Sequence, residues 1–275
     1  MYKEGRLLII GGNEDKTGDC IILNKFVEMA GGAKSRIAVM TTATKLPDEV
    51  GEEYREIFLR LGANSVDTVN IEERRGCFDE SLIERFKNYS GIFFTGGDQL
   101  RLTSILGGSK IDSAIRRCFF SGGVIGGTSA GASVMSHTMI VGGDSSDTPK
   151  KAAVALAEGM GLLGEVIIDQ HFAQRGRINR LLAAVAQNPN VIGVGIDEDT
   201  ALCVEGAQCS VIGSQTVTIL DGREIVHSNI SESSRMEPLA LTYVKLHILP
   251  SGFGYDINKR FPYAGALGRI DNADN

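Results

Sequence analysis

The feature that most constrains this chain is an alternation, over its first two thirds, of short β-branched runs with longer amphipathic stretches. Strands are predicted at residues 6–10, 36–41, 65–70, 91–95, 123–127, 165–169 and 191–196. Between them, residues 48–61 place Val50, Tyr54, Ile57, Phe58 and Leu61 on one helical face, and residues 177–187 do the same with Ile178, Leu181, Leu182 and Val185. Gly-Gly pairs at 31–32, 107–108 and 122–123 stand where such helices should stop. This pattern predicts an α/β fold, a mainly parallel sheet covered by helices on both faces. After Ile196 the texture changes: residues 201–205, 208–212, 216–220 and 239–249 alternate like antiparallel strands and predict a β-rich extension or flap. No linker separates the two parts, so residues 1–275 are read as one domain.

Composition removes several function classes. The formal net charge is -6 and no basic tract offers itself to a phosphate backbone, which argues against nucleic acid as a partner. No run approaches the roughly 20 apolar residues that span a bilayer, and no export signal is visible, so no membrane association and a cytoplasmic protein are expected. The five cysteines (Cys20, Cys77, Cys118, Cys203 and Cys209) lack ligand-like spacing and read as reduced thiols, with neither a disulfide frame nor a structural zinc.

In parallel sheets, ligands bind beyond the carboxyl ends of the strands, and the turns there hold the candidate chemistry. Gly127-Thr128-Ser129-Ala130-Gly131 follows an apolar strand and precedes a helix-like run at 130–136. A sharp strand-to-helix turn exposes a serine hydroxyl and needs small neighbours. With 34 glycines in the chain the pentapeptide alone is a weak signal, and its position supplies the rest. The turn Thr95-Gly96-Gly97-Asp98-Gln99 has the same layout, with Asp98 as helix cap, and the N–H groups of Gly97 and Ala130 are candidates for an oxyanion hole. Of the four histidines, His171 alone ends a buried-looking strand, which makes it the candidate base for Ser129. Two carboxylates compete to orient it: Glu198, directly after a strand, and Asp147, in the polar loop 142–147. A nucleotide-binding module is the non-catalytic alternative, but no G-x-x-x-x-G-K-[ST] phosphate loop is present.

Five blocks in collinear order carry a resemblance: GGNED at 11–15, FFTGGDQLRL at 93–102, GGTSAGASVMS at 126–136, DQHFAQRGRINRL at 169–181 and GVGIDEDTAL at 193–202. Together they resemble the cyanophycinase branch of the Ser-His-Glu/Asp peptidase family that also holds the aspartyl dipeptidases of the peptidase E type. The resemblance implies a flavodoxin-like fold related to class I glutamine amidotransferase domains, and a homodimer without metal or organic cofactor. It implies exo-hydrolysis of cyanophycin, a poly-aspartate bearing arginine on each β-carboxyl, to β-Asp-Arg dipeptides, with Ser129 as nucleophile and His171 as base. The acid corresponds to Glu198 or Asp147. Hydrolysis of Asp-X or isoaspartyl dipeptides is the alternative in the same class. In this light Arg175, Arg177 and Arg180 are candidates for the arginine α-carboxylates of the polymer. Gln99, Asp169 and Gln170 would complete the pocket, Asp169 facing a substrate guanidinium.

Overall fold

The computed structural model describes residues 5–143 and 148–265. In chain order the first half runs β1 (Arg6–Ile10), α1 (Ile21–Met29), β2 (Arg36–Met40), α2 (Pro47–Arg60), β3 (Ser65–Val69), α3 (Glu80–Phe86), β4 (Gly91–Phe94), α4 (Gln99–Leu106), α5 (Lys110–Phe120), β5 (Val124–Thr128) and α6 (Ala130–Ser133). The second half runs β6 (Thr138–Gly142), β7 (Ala155–Glu158), β8 (Val166–Gln170), α7 (Ile178–Gln187), β9 (Ile192–Ile196), β10 (Thr200–Glu205), β11 (Gln208–Gly213), β12 (Thr216–Asp221), β13 (Lys245–Pro250), β14 (Phe253–Asp256) and β15 (Phe261–Ala264).

β1, β5, β4, β2 and β3 pair in parallel in that order, so β5 lies between β1 and β4, with Thr128 level with Ile10 and Gly127 level with Phe94. Alternate residues of each strand point to opposite faces, and both faces are covered. On one face Leu8, Ile10, Val39 and Phe93 pack beneath α1 and α2, where Phe26 and Phe58 set their ring centroids 5.2 and 5.1 Å from that of Phe93. On the other, Leu7, Ile9, Met40, Phe94 and Ile125 meet Leu102 and Leu106 of α4 and Ile111 and Ile115 of α5. Each aromatic pair adds roughly 0.5–1.5 kcal/mol beyond its buried area. Beyond β1 the sheet continues antiparallel through β10, β11, β14 and β15, so the nine-stranded sheet is mixed.

β8 and β9 form at 166–170 and 192–196, close to the predicted spans, but in a separate four-stranded sheet of order β13-β12-β9-β8. The chain reverses at residues 197–199, so β10 takes the place beside β1, with Ala201 opposite Ile10, while β12 closes the open side of β9. One face of this sheet (Val166, Ile168, Val194, Val217, Ile219) shares a core with Leu202, Val204 and Val211 of the first. Leu181, Ala184 and Val185 of α7 pack in the cluster formed with Ile167 and Leu220 of the other face. The β-rich segment therefore both extends the first sheet and completes the second.

Two predicted spans are shorter than expected. The strand expected at 239–249 begins only at Lys245, since the preceding segment makes single bridges to 150 and 228 instead of a ladder. The helix expected at 130–136 is one turn, α6, because the carbonyls of Val134, Met135 and Ser136 accept from the N–H groups of 160–163. α6 folds tightly onto β5: a Cβ at Gly127 would stand 2.5 Å from the carbonyl oxygen of Gly131.

Candidate active site

The carboxyl end of β1 joins the two sheets. The Ile10 carbonyl accepts from the N–H of Ser129 at 3.1 Å, Gly11 O from that of His171 at 2.8 Å and Gly12 O from that of Asp199 at 2.9 Å. Three successive carbonyls thus hold the turn after β5, the turn after β8 and the turn after β9. Ser129 sits at φ 54° and ψ -111°, and His171 at φ 47°. Such backbone costs about 1–3 kcal/mol per residue and persists where surrounding contacts enforce it. Here the β1 carbonyls are part of that enforcement.

The side chains converge in the same order. His171 Nε2 lies 3.0 Å from Ser129 Oγ, and His171 Nδ1 lies 2.6 Å from Glu198 Oε1. Glu198 is held in turn: Asn13 Nδ2 donates to its Oε2 at 3.1 Å, and its backbone N–H donates to Gln174 Oε1 at 3.1 Å. A carboxylate on Nδ1 favours the tautomer with its proton there, leaving the Nε2 lone pair to accept from the serine hydroxyl. Burial pushes the His171 imidazole below its ordinary value; Glu198 pulls it up, and the cations Arg175 and Arg177 push it further down. The hydrogen bond from His171 holds the Glu198 carboxyl below its ordinary value, assisted by Asn13. The arrangement can hand a proton from Ser129 to His171 near neutral pH and hold the resulting cation against a carboxylate.

The comparisons with known proteins bear on the same residues. The family described as Peptidase family S51 matches residues 7–212, a stretch that contains Ser129, His171 and Glu198. The chain belongs to this family. An S51 chain of this length has full-length curated relatives: "Cyanophycinase" of Geminocystis herdmanii is 41% identical over 97% of this chain and 99% of its own. "Cyanophycinase" of Trichormus variabilis is 41% identical over 92% of this chain and 86% of its own. Among solved structures, a peptidase from an acI-B1 Actinobacterium superposes with a TM-score of 0.72 at 21% identity, covering 93% of this chain and 98% of that one. A putative peptidase E protein from Listeria monocytogenes EGD-e gives a TM-score of 0.54 at 16% identity, covering 77% and 100%. Both share the α/β fold.

Around Ser129, His171 and Glu198, the other expected residues fall into three groups. Some border Ser129. Gln170 Oε1 is 3.5 Å from its hydroxyl, Ala130 follows it, and Gly96 is close enough that an added Cβ would stand 3.9 Å from Oγ, which brings the Gly97 peptide beside the nucleophile. Gln99 is half-buried and donates through Nε2 to Ile140 O at 3.0 Å; Arg175 is exposed on the turn after β8. A second group turns inward, against expectation. Asp169 is 1% exposed, and both its carboxylate oxygens accept from the chain's own guanidiniums: Oδ2 from Arg180 Nε at 2.6 Å, and Oδ1 from Arg177 Nη1 at 3.3 Å and from Arg180 Nη2. Arg177 and Arg180 are themselves buried, with Arg177 also donating to Gln170 O. These three groups satisfy one another, because a buried charge without a partner is costly, and Asp169 is not left open for a substrate guanidinium. The third group is Asp147, which lies outside the described residues.

Sequence reasoning assigned no role to residues 11–14, and the structure shows three. A Cβ at Gly12 would come within 2.3 Å of the His171 ring, so the imidazole occupies the space a side chain would take. Asn13 holds Glu198. Glu14, buried, accepts from Thr128 Oγ1 at 2.6 Å and from the Tyr54 hydroxyl, tying the residue before the nucleophile to α2. Ser129 and His171 open onto a cleft of about 740 Å³ that is also lined by Asn13, Glu14, Lys16 and Tyr54. Among the described residues no group of His, Cys, Asp and Glu is arranged to hold a metal ion, and no helix is long and apolar enough to cross a membrane.

Proposed function

We propose that this chain is a serine-type exopeptidase that hydrolyses cyanophycin to β-Asp-Arg dipeptides through an acyl-enzyme on Ser129. The observation that carries the reading is the continuous relay from Ser129 Oγ through both ring nitrogens of His171 to Glu198, at 3.0 and 2.6 Å. The substrate follows from the names of relatives 41% identical along nearly their whole length.

In the proposed cycle His171 takes the Ser129 proton as Oγ attacks the scissile carbonyl. The N–H groups of Gly97 and Ala130 receive the developing oxyanion; each such donor lowers the barrier by roughly 3 kcal/mol. Glu198 stabilises the imidazolium, which then protonates the leaving amine, and water activated by His171 hydrolyses the acyl-enzyme and frees Ser129. Arg175, exposed beside His171, offers its guanidinium fork to a substrate carboxylate, and Gln99 and Gln170 are the neutral partners of the scissile unit. The five cysteines are free thiols, which fits a reducing cytoplasm. A homodimer is part of the same proposal, and the exposed Tyr243, Leu246 and Ile248 on and beside the edge strand β13 offer an apolar surface for it.

The substrate assignment is tested by mass analysis of soluble products after incubating the purified chain with insoluble cyanophycin and, separately, with Asp-X and isoaspartyl dipeptides. Release of β-Asp-Arg alone from the polymer is the expected result. Cleavage of the short peptides with the polymer left intact would replace cyanophycin as the substrate.

A further inference from the structure

The loop that presents Gly96 and Gly97 has a hollow on each side. One is the cleft at Ser129, about 740 Å³, bounded by residues 13–17 and by Val50, Glu53 and Tyr54 of α2. The other, of about 1660 Å³, starts at Ala43, Thr44 and Gly97 and runs along the exposed side of α4 to Arg116 and Glu158. The first has the size of a small-ligand pocket, roughly 300–1,000 Å³, and the second exceeds that range. Gly96 lines the first and Gly97 the second, so the two hollows adjoin across this peptide.

The walls of the larger hollow carry charges of both signs. Arg101 is fixed by bonds from Nε to Thr42 O at 2.8 Å and from Nη2 to Glu72 O at 3.3 Å. Arg116 donates to Asp112 at 3.0 Å and to Met160 O. Beside these anchored cations stand the exposed side chains of Lys45, Glu72 and Glu158. Each unit of a poly(β-Asp-Arg) chain carries one guanidinium and one free carboxylate. A hollow of a single sign would repel half of those groups, whereas this one offers a partner to each.

We propose that the hollow along α4 holds the uncut remainder of the polymer while the unit to be released occupies the cleft at Ser129. This rests on the reading of cyanophycin as the substrate. A polymer held along such a surface gains affinity with every unit that reaches it, so specificity for the polymer would lie in this surface, remote from the nucleophile.

The test compares kcat/KM on substrates of two and of ten repeat units, for the wild type and for the double charge reversal Glu72→Lys, Glu158→Lys. The readout is the ratio of the two values for each protein, from which any loss of folded enzyme cancels. The wild type is expected to prefer the longer substrate by about tenfold or more, and the variant to bring that ratio close to one. A wild-type ratio near one, or a variant that keeps the wild-type ratio, would overturn the assignment of the hollow and leave cyanophycin as substrate. Failure of the wild type to cut either length would overturn the substrate reading and the hollow's role together.

Discussion

Ser129 leaves a strand flanked on both sides by parallel neighbours, with helices packed on either face, whereas His171 leaves β8, the edge of a smaller sheet, and Glu198 follows the strand next to it. The nucleophile is thus set by a strand in the interior of the nine-stranded sheet. Base and acid are set by a second body that meets the first along one seam. What links them is the end of β1, whose carbonyls at 10, 11 and 12 each hold one of the three turns. A site built this way is only as well aligned as that seam, and substitutions on its two sides should fail differently.

The largest expected effect beyond the nucleophile itself is at the acid. Glu198→Gln keeps the side chain's shape but removes the charge that orients His171, and kcat should fall roughly 10⁴-fold with the fold unchanged. A fall of less than tenfold would move the acid to Asp147 and detach β9 from the chemistry.

Next comes the ion cluster of Asp169, Arg177 and Arg180 beneath the turn after β8. Asp169→Asn leaves the buried guanidiniums of Arg177 and Arg180 uncompensated and should cost about 3–5 kcal/mol of stability, read from denaturant unfolding. If stability is unchanged, the second sheet does not depend on the cluster. Gly12→Ala then probes the seam directly. The added methyl displaces the His171 ring, and a misplacement of about 1 Å should lower kcat roughly 10²-fold with little change in KM.

The smallest effect is on the pH profile. His171 must be neutral to act as base, so activity is lost as pH falls through its pKa, which burial holds below the ordinary imidazole value. Arg175→Ala removes a cation that pushes this pKa down, so the acid limb of kcat/KM should move to higher pH. No movement would mean that Arg175 does not act on the imidazole.

Much of this was readable in advance, for reasons that separate the two regions. The parallel strands stand out as short apolar, β-branched runs and the helices as period-3.6 patterns in local sequence, so β1 to β5, α2 and the turn at Ser129 were visible. His171 and Glu198 were found by the rule that chemistry sits at strand ends, which holds whichever sheet a strand joins. Which sheet that would be was not legible: β8 and β9 read like any buried strands, and their separation from β1 depends on the long-range pairing of β10 with β1 and of β12 with β9. The same limit explains Arg177 and Arg180, which were expected to face the carboxylates of the polymer. Only the position of Asp169 on the neighbouring strand turns them inward. Gly12 and Asn13 stood within a recognised block, but their work is done on residues more than 150 positions away in sequence.

Initial rates of β-Asp-Arg release from cyanophycin by wild-type protein and by Ser129→Ala, with unfolding curves for both, test the central claim most directly. The expected result is a loss of roughly 10⁶-fold in kcat with superimposable unfolding transitions. Retention of release within tenfold of wild type by a folded Ser129→Ala protein would contradict it.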